Sequence, residues 1–215
     1  MIDRPCGGRP KRLFDVVAGS VALIALSPLA ALVACAVRIA IGSPVIYRQR
    51  RPGWRGQPFD VLKFRTMTDA RASDGRLLPD AQRLTPFGRV LRQTSLDELP
   101  ELINVVRGEM SLVGPRPLLM AYLERYAPWQ ARRHEARPGI TGLAQVSGRN
   151  QLPWDERFAL DVWYVDHWSM TLDVKIVATT VWKVLTREGI NQEGQATAEE
   201  FKGPSGPMPD IARLL

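Results

Sequence analysis

VVAGSVALIALSPLAALVACAVRIAI, residues 16–41, decides how this chain folds. Arg38 is its only charge, and the run is broken by Gly19, Ser20, Ser27 and Pro28. About 20 apolar residues suffice to cross a bilayer, so a single span is the first expectation. Two features oppose it. Arg4, Arg9, Lys11 and Arg12 precede the run, and Arg38, Arg48, Arg50, Arg51 and Arg55 follow it. Basic flanks favour the cytoplasmic side, so both flanks demand the same side. Pro28 removes a helical hydrogen bond near the middle, and Ser27 can satisfy the backbone groups it frees. A break there leaves limbs of roughly 12 residues, each about 18 Å long, against a core of about 30 Å. The pattern predicts a re-entrant helix over 13–41, broken at Ser27-Pro28 and dipping into one leaflet. A proline-kinked span is the alternative. A signal peptide would be followed by a polar mature start, which is missing here.

Around this run the chain reads as one domain, 1–187, with a polar, Gly/Pro-rich and mobile tail at 188–215. The 215 residues carry a net charge of +7, and 24 of the 29 basic residues are Arg. A guanidinium grips phosphate with two parallel donors, although base composition also favours Arg. A basic balance suits nucleic acid, anionic lipid or a phosphorylated small molecule. Cys6 and Cys35 are too few for a disulfide framework and point to a reducing compartment.

Beyond Gly42, residues 44–49 and 59–65 read as two short strands around a turn rich in Pro and Gly. Lys63 and Arg65 share one face of the second strand. Residues 118–124 and 129–134 read as short helices, and 143–146 as a short strand in a Gly-rich loop. Two further helices follow, Trp154–Trp168 and Leu172–Leu185. Trp163, Trp168 and Trp182 suit either a bilayer surface or an ordinary core. The fold class is therefore mixed α/β and mostly helical: a broken membrane helix, a β-hairpin and amphipathic surface helices.

The chemistry concentrates in TSLDELPELINVVRGEMSLVGPRP, residues 94–117. Ser95 and Glu98 have capping-box spacing, and a helix N-terminus there would favour an anion. Pro100 comes too late for the first helical position if Ser95 is the cap, so the helix starts near Pro100 or has an irregular first turn. His134 and His167 are the only histidines, and neither zinc spacing nor a Ser-His-Asp order is present. Carboxylates remain. An Asp is ionised at neutral pH without a general base and can attack phosphorus directly. Asp97 and Glu98 could divide the work, one attacking and one holding magnesium, which needs only one or two protein carboxylates.

Several motifs then fall in a familiar order: KRLFD at 11–15, Ser27-Pro28, KFRTM at 63–67, TPFGRVLRQTSLDELPEL at 85–102, SLVGPRP at 111–117, RPGITGLAQVSGRN at 137–150 and LDVWYVDHWSMTLDVKI at 160–176. Over about 11–187 the chain strongly resembles the bacterial sugar transferases, the small monotopic phosphoglycosyl transferases. The resemblance implies transfer of a sugar 1-phosphate from a UDP-sugar to undecaprenyl phosphate at the cytoplasmic face of the inner membrane, with release of UMP, as the first step of a surface glycan pathway. It implies Asp97 as nucleophile, Glu98 beside magnesium, and Lys63, Arg92, Arg116 and Arg149 around the phosphates. Ser27, Pro28, Pro115 and Pro117 take structural roles, and both termini are cytoplasmic. The multi-span domain of the family's larger members has no counterpart, so no regulation by an attached domain is expected. A non-catalytic module that binds sugar nucleotides or anionic lipid at the membrane surface is the rival reading. A nucleic-acid binder is disfavoured by the apolar run. The sugar is unread, and both a monomer and a homodimer remain open.

Overall fold

The computed structural model describes residues 5–148, 152–186 and 200–215. Its first two helices, α1 (Gly8–Ala25) and α2 (Ser27–Ala40), meet at Leu26 and are bent by 60°. Pro28 falls in the first turn of α2, where its missing N–H leaves no intrahelical bond unmade. The Ser27 hydroxyl donates to the Ile24 carbonyl at 2.8 Å, occupying an acceptor near the break. Among the described residues no single helix is long and apolar enough to cross a membrane; only the two limbs together meet that test.

The polarity of α1 is inverted. Lys11, Asp15 and Gly19, four residues apart, are buried, while Leu13, Val17, Val21 and Ile24 are exposed. On α2, Leu32 and Ile39 are exposed as well. In a water-soluble domain an amphipathic helix does the opposite.

A hairpin follows, β1 (Ile46–Pro52) antiparallel to β2 (Pro58–Phe64), with Ile46 opposite Phe64 and Tyr47 opposite Lys63. Both strands extend further toward the turn than residue pattern alone indicates. Phe64 packs with Val33 and Val37 of α2 and with Leu91, so the hairpin's open end abuts the bent pair. Next come α3 (Asp80–Arg83) and α4 (Pro86–Gln93). The Thr85 side chain caps α4 by accepting from Gly88 N at 2.9 Å, and Pro86 occupies the first turn. Gly88 is required by contact: a Cβ there would lie 1.9 Å from the Thr66 carbonyl oxygen.

Helix α5 (Glu101–Arg107) leads through Gly108, at φ 90, to β3 (Ser111–Val113). This strand pairs in parallel with β4 (Gly139–Thr141). Between them lie the two short helices expected, largely in 3-10 form: a 3-10 helix at Met120–Arg125, then α6 (Pro128–Ala131) running into a 3-10 helix at Arg132–Glu135. Residues 143–147 form a helix, α7 (Leu143–Ser147), and not the expected strand. A short apolar run is ambiguous between the two states, and here Gln145 folds back to the Ile140 carbonyl.

Helices α8 (Trp154–Asp166) and α9 (Met170–Thr186) divide the two readings of the tryptophans. The first is a core helix, burying Phe158, Ala159, Leu160, Val162 and Tyr164. The second buries Asp173 and Ile176 and exposes Val174, Val181 and Trp182. Of the stretch read as a tail, residues 200–215 dock on α8. Phe201 is 1% exposed among Tyr122, Tyr126, Trp154 and Phe158, and Ile211 packs on Ala144, Ala159 and Leu160.

The base of α1 is fixed by its charges. Lys11 Nζ meets Asp173 Oδ2 at 2.5 Å; Tyr164 and Trp168 donate to the same carboxylate at 2.7 and 3.0 Å. Arg12 donates to the carbonyls of Val105 and Val106 in the last turn of α5, at 2.6 and 2.7 Å. Asp15 Oδ1 accepts from Ser111 Oγ and Leu112 N on β3. Removing one partner of such a buried pair leaves an uncompensated charge, at a cost of about 3–5 kcal/mol. Asp173→Ala is expected to destabilise the purified chain by about that amount in thermal or denaturant unfolding. A shift below about 1 kcal/mol, the size typical of an exposed pair, would show that this network does not hold α1.

Candidate active site

The central stretch does not cap a helix where the spacing suggests. Ser95 adopts φ 56 in the left-handed region, with no side-chain cap. A 3-10 turn, Leu96–Glu98, follows, and α5 starts only at Glu101, behind Pro100. The capping box therefore fails because Ser95 is turned out of the extended conformation a cap needs. The tight turn also presents adjacent carboxylates differently. Asp97 is 7% exposed, while Glu98 reaches two cations.

Glu98 Oε1 accepts from Lys63 Nζ at 2.6 Å and from Arg116 Nη2 at 2.5 Å. Lys63 also lies 3.1 Å from Glu101 Oε1. Glu101, one turn along from Glu98, is the residue that sequence reasoning missed. Its signal was its i+3 spacing from Glu98 and the burial of the α5 face that carries it. Arg92 Nε donates to Thr66 Oγ1 at 3.1 Å, and its charge acts on Asp97. Lys63, Arg92, Asp97, Glu98 and Arg116 thus line one cleft of roughly 1510 Å³. Pro117 lines it too, as do Ala22, Leu26 and Leu29 at the bend between α1 and α2. Arg149 lies outside the described residues.

Arg116 is presented by its neighbours. Pro115 and Pro117 each fix φ beside it. The Pro115 carbonyl accepts from Gly139 N at 3.0 Å, and the Arg116 carbonyl from Arg133 Nη2 at 2.7 Å. Arg133 is itself buried, with two donors on Asp161 Oδ2 at 3.0 and 2.8 Å. Neither Arg133 nor Asp161 announces this in sequence, because 28 positions separate them.

Electrostatics separates the carboxylates. Burial and then the charge of Glu98 push Asp97 up to about 6, against Lys63, Arg92 and Arg116. Burial and Glu98 likewise push Glu101 up to about 7. Burial also works against charge on Glu98, but Arg116 and Lys63 outweigh it and hold the carboxyl well below its usual range. Asp97 is therefore mostly ionised at neutral pH while its proton affinity, and with it its basicity, exceeds that of a solvated Asp.

Among the described residues no cluster of three or more His, Cys, Asp or Glu could cage a metal ion. Magnesium does not need one, since it keeps waters and takes further oxygens from phosphates. Both cations that touch Glu98 do so at Oε1, so Oε2 is available to a hard cation. The donor set fits magnesium bound together with a phosphorylated ligand.

A model of the bacterial sugar transferases matches residues 8–187. The chain belongs to that family. The transferase is 56% identical over 193 residues to the sugar transferase EpsL of Bacillus subtilis (strain 168), covering 90% of this chain and 96% of that one. It is 44% identical over 203 residues to the exopolysaccharide production protein ExoY of Rhizobium meliloti (strain 1021), covering 86% and 90%. It is 43% identical over 190 residues to the UDP-glucose:undecaprenyl-phosphate glucose-1-phosphate transferase of Caulobacter vibrioides, covering 83% and 70%.

Lys63→Met removes the cation shared by Glu98 and Glu101. Without it, Asp97, Glu98 and Glu101 bind protons more tightly, so less of each is ionised at a given pH. Turnover by the transferase is expected to fall on the order of 100-fold, and the acid limb of kcat/KM to move to higher pH. An acid limb that stays in place would remove Lys63 from this balance.

Proposed function

We propose that this transferase moves a sugar 1-phosphate from a UDP-sugar to undecaprenyl phosphate through a phosphosugar held on Asp97. The carrying observation is the buried Asp97 in a cleft with Lys63, Arg92 and Arg116, whose rim includes the bend of two apolar helices. The substrates named for the Caulobacter vibrioides relative have the matching chemistry, a nucleotide donor and a polyprenyl phosphate acceptor.

In the first step a carboxylate oxygen of Asp97 attacks the sugar-linked phosphorus. The bond to the bridging oxygen breaks, and UMP leaves with that electron pair. An acyl phosphate carrying the sugar remains. In the second step an oxygen of the lipid phosphate attacks the same phosphorus, the carboxylate departs, and the diphosphate-linked sugar forms. One phosphate pocket serves both steps, so donor and acceptor need not be held together. Arg116, Lys63 and Arg92 screen the phosphate charge, and the fixed Pro115–Pro117 loop holds Arg116 in place for both displacements. Magnesium, held through Glu98, would supply further charge neutralisation.

Donor alone is expected to release up to one equivalent of UMP and to raise the protein mass by one sugar phosphate, with EDTA suppressing both. Asp97→Asn should show neither change while folding normally. UMP that appears only after undecaprenyl phosphate is added, with no mass trapped on rapid quenching, would overturn the covalent route. A panel of UDP-sugars identifies the sugar.

The bent pair is read as a re-entrant segment at the cytoplasmic face of the inner membrane. The outward apolar stripe of α1 and basic residues on both flanks support this reading. Single cysteines at the exposed positions Arg9 and Arg55, in a chain with Cys6 and Cys35 replaced by Ser, test it. Both should be protected from an impermeant reagent in whole cells. Labelling at one position alone would mean a true span.

A further inference from the structure

Alternate residues of β1 serve two surfaces. Tyr47, Gln49 and Arg51 line the catalytic cleft beside Lys63, the cross-strand neighbour of Tyr47. Arg48 and Arg50 line a separate hollow with Arg107. Arg51 is half-buried, and its Nε and Nη2 both donate to Gln49 Oε1, at 3.1 and 2.6 Å. That brace fixes one edge of the guanidinium fork and supplies no negative charge. Among the described residues no carboxylate pairs with Arg51. Burial, followed by the like charge of Arg116, lowers its pKa from the usual value. Arg51 and Arg116 thus line one cleft, and of these two it is Arg116 that has a carboxylate partner among the described residues. A desolvated cation of this kind is relieved by an incoming anion, and a fork held flat is shaped for phosphate.

The hairpin register says which phosphate. Ile46 and Phe64 pack on α2 at the open end, and Lys63, the next position, meets Glu98. Arg51 lies four residues beyond Tyr47, about 13 Å further along the strand at about 3.3 Å per residue. It sits on the side of Glu98 away from the apolar helices, where a water-soluble nucleotide extends and a lipid tail does not.

We propose that Arg51, braced by Gln49, is a binding residue for the donor diphosphate and takes the phosphate that leaves with the nucleoside. The inference rests on the donor reading above. Gln49 is a positioning residue, since it acts through Arg51.

The test uses the full chain in detergent micelles. UDP and uridine affinities are measured by calorimetry, and KM is measured for UDP-sugar and for undecaprenyl phosphate. Arg51→Gln is expected to weaken UDP binding and raise the donor KM by about tenfold or more, leaving uridine affinity and the acceptor KM within about twofold. Gln49→Glu should act in the same direction, because the new carboxylate would occupy the guanidinium in place of phosphate. It also decides the question if Arg51→Gln fails to fold. Arg51→Lys, which keeps the charge and loses the fork, should recover only part of the loss. Unchanged UDP affinity and donor KM in a folded variant, or a rise confined to the acceptor KM, would overturn the assignment. Wild-type protein that neither binds UDP nor releases UMP from any UDP-sugar would sink the donor reading itself. An active wild type with indifferent variants would sink only the role of Arg51.

Discussion

Lys11 and Asp173 meet across 162 positions of sequence, and much of the architecture rests on that contact. A helix with its apolar side chains outward cannot be held to its domain by the hydrophobic effect. It needs polar side chains on the inner face, each satisfied, because an unpaired buried charge costs far more than it returns. In α1 this is met three times in five residues. Lys11 reaches Asp173, Arg12 closes the carbonyl end of α5, and Asp15 receives donors from β3. Gly19 then lets the helix approach Val105 closely; a Cβ there would lie 3.1 Å from the Val105 side chain. The outer surface of α1 is left free for an apolar medium.

The same contacts join α1 to the ion cluster around Glu98. Arg12 grips the last turn of α5, and Glu101 stands in the first, about 6–8 Å away at 1.5 Å per residue. Glu101 shares Lys63 with Glu98. From the other side, α2 packs on Phe64, the residue beside Lys63 on β2. Both limbs of the bent pair are thus within a few contacts of the ion cluster. The placement of the carboxylates relative to the bent pair is set by direct packing.

Much of this was legible in the sequence, for identifiable reasons. Ser27-Pro28 has a local backbone consequence, so the break, which falls at Leu26, could be placed to within two residues. The basic flanks and the Asp97-Glu98 pair are contiguous signals, as is Pro115–Pro117. The features that escaped depend on contacts between distant residues. Ser95 has the right spacing for a cap, but just past the end of α4 it adopts φ 56 and its side chain caps nothing. Glu101 reads as an ordinary first-turn acid until Lys63 is brought to it from β2. Arg133 resembles its neighbour Arg132, yet it is buried under the Arg116 loop while Arg132 pairs with Asp166 at the surface. The stretch after residue 199 has the composition of a tail, and a single aromatic, Phe201, anchors it.

The anchoring of α1 also has a consequence in time. After Lys11 a ribosome must add some 160 further residues before Asp173 exists to receive it. At about 5–20 residues per second, that interval is roughly 10–30 s. During it Lys11 has no Asp173 to pair with, and the outer face of α1 still presents Leu13, Val17, Val21 and Ile24. On the re-entrant reading proposed above, delivery to the bilayer comes before closure of the polar base. Assembly on that reading runs in reverse of a soluble domain: the apolar segment finds its medium first, and the globular part is built onto it.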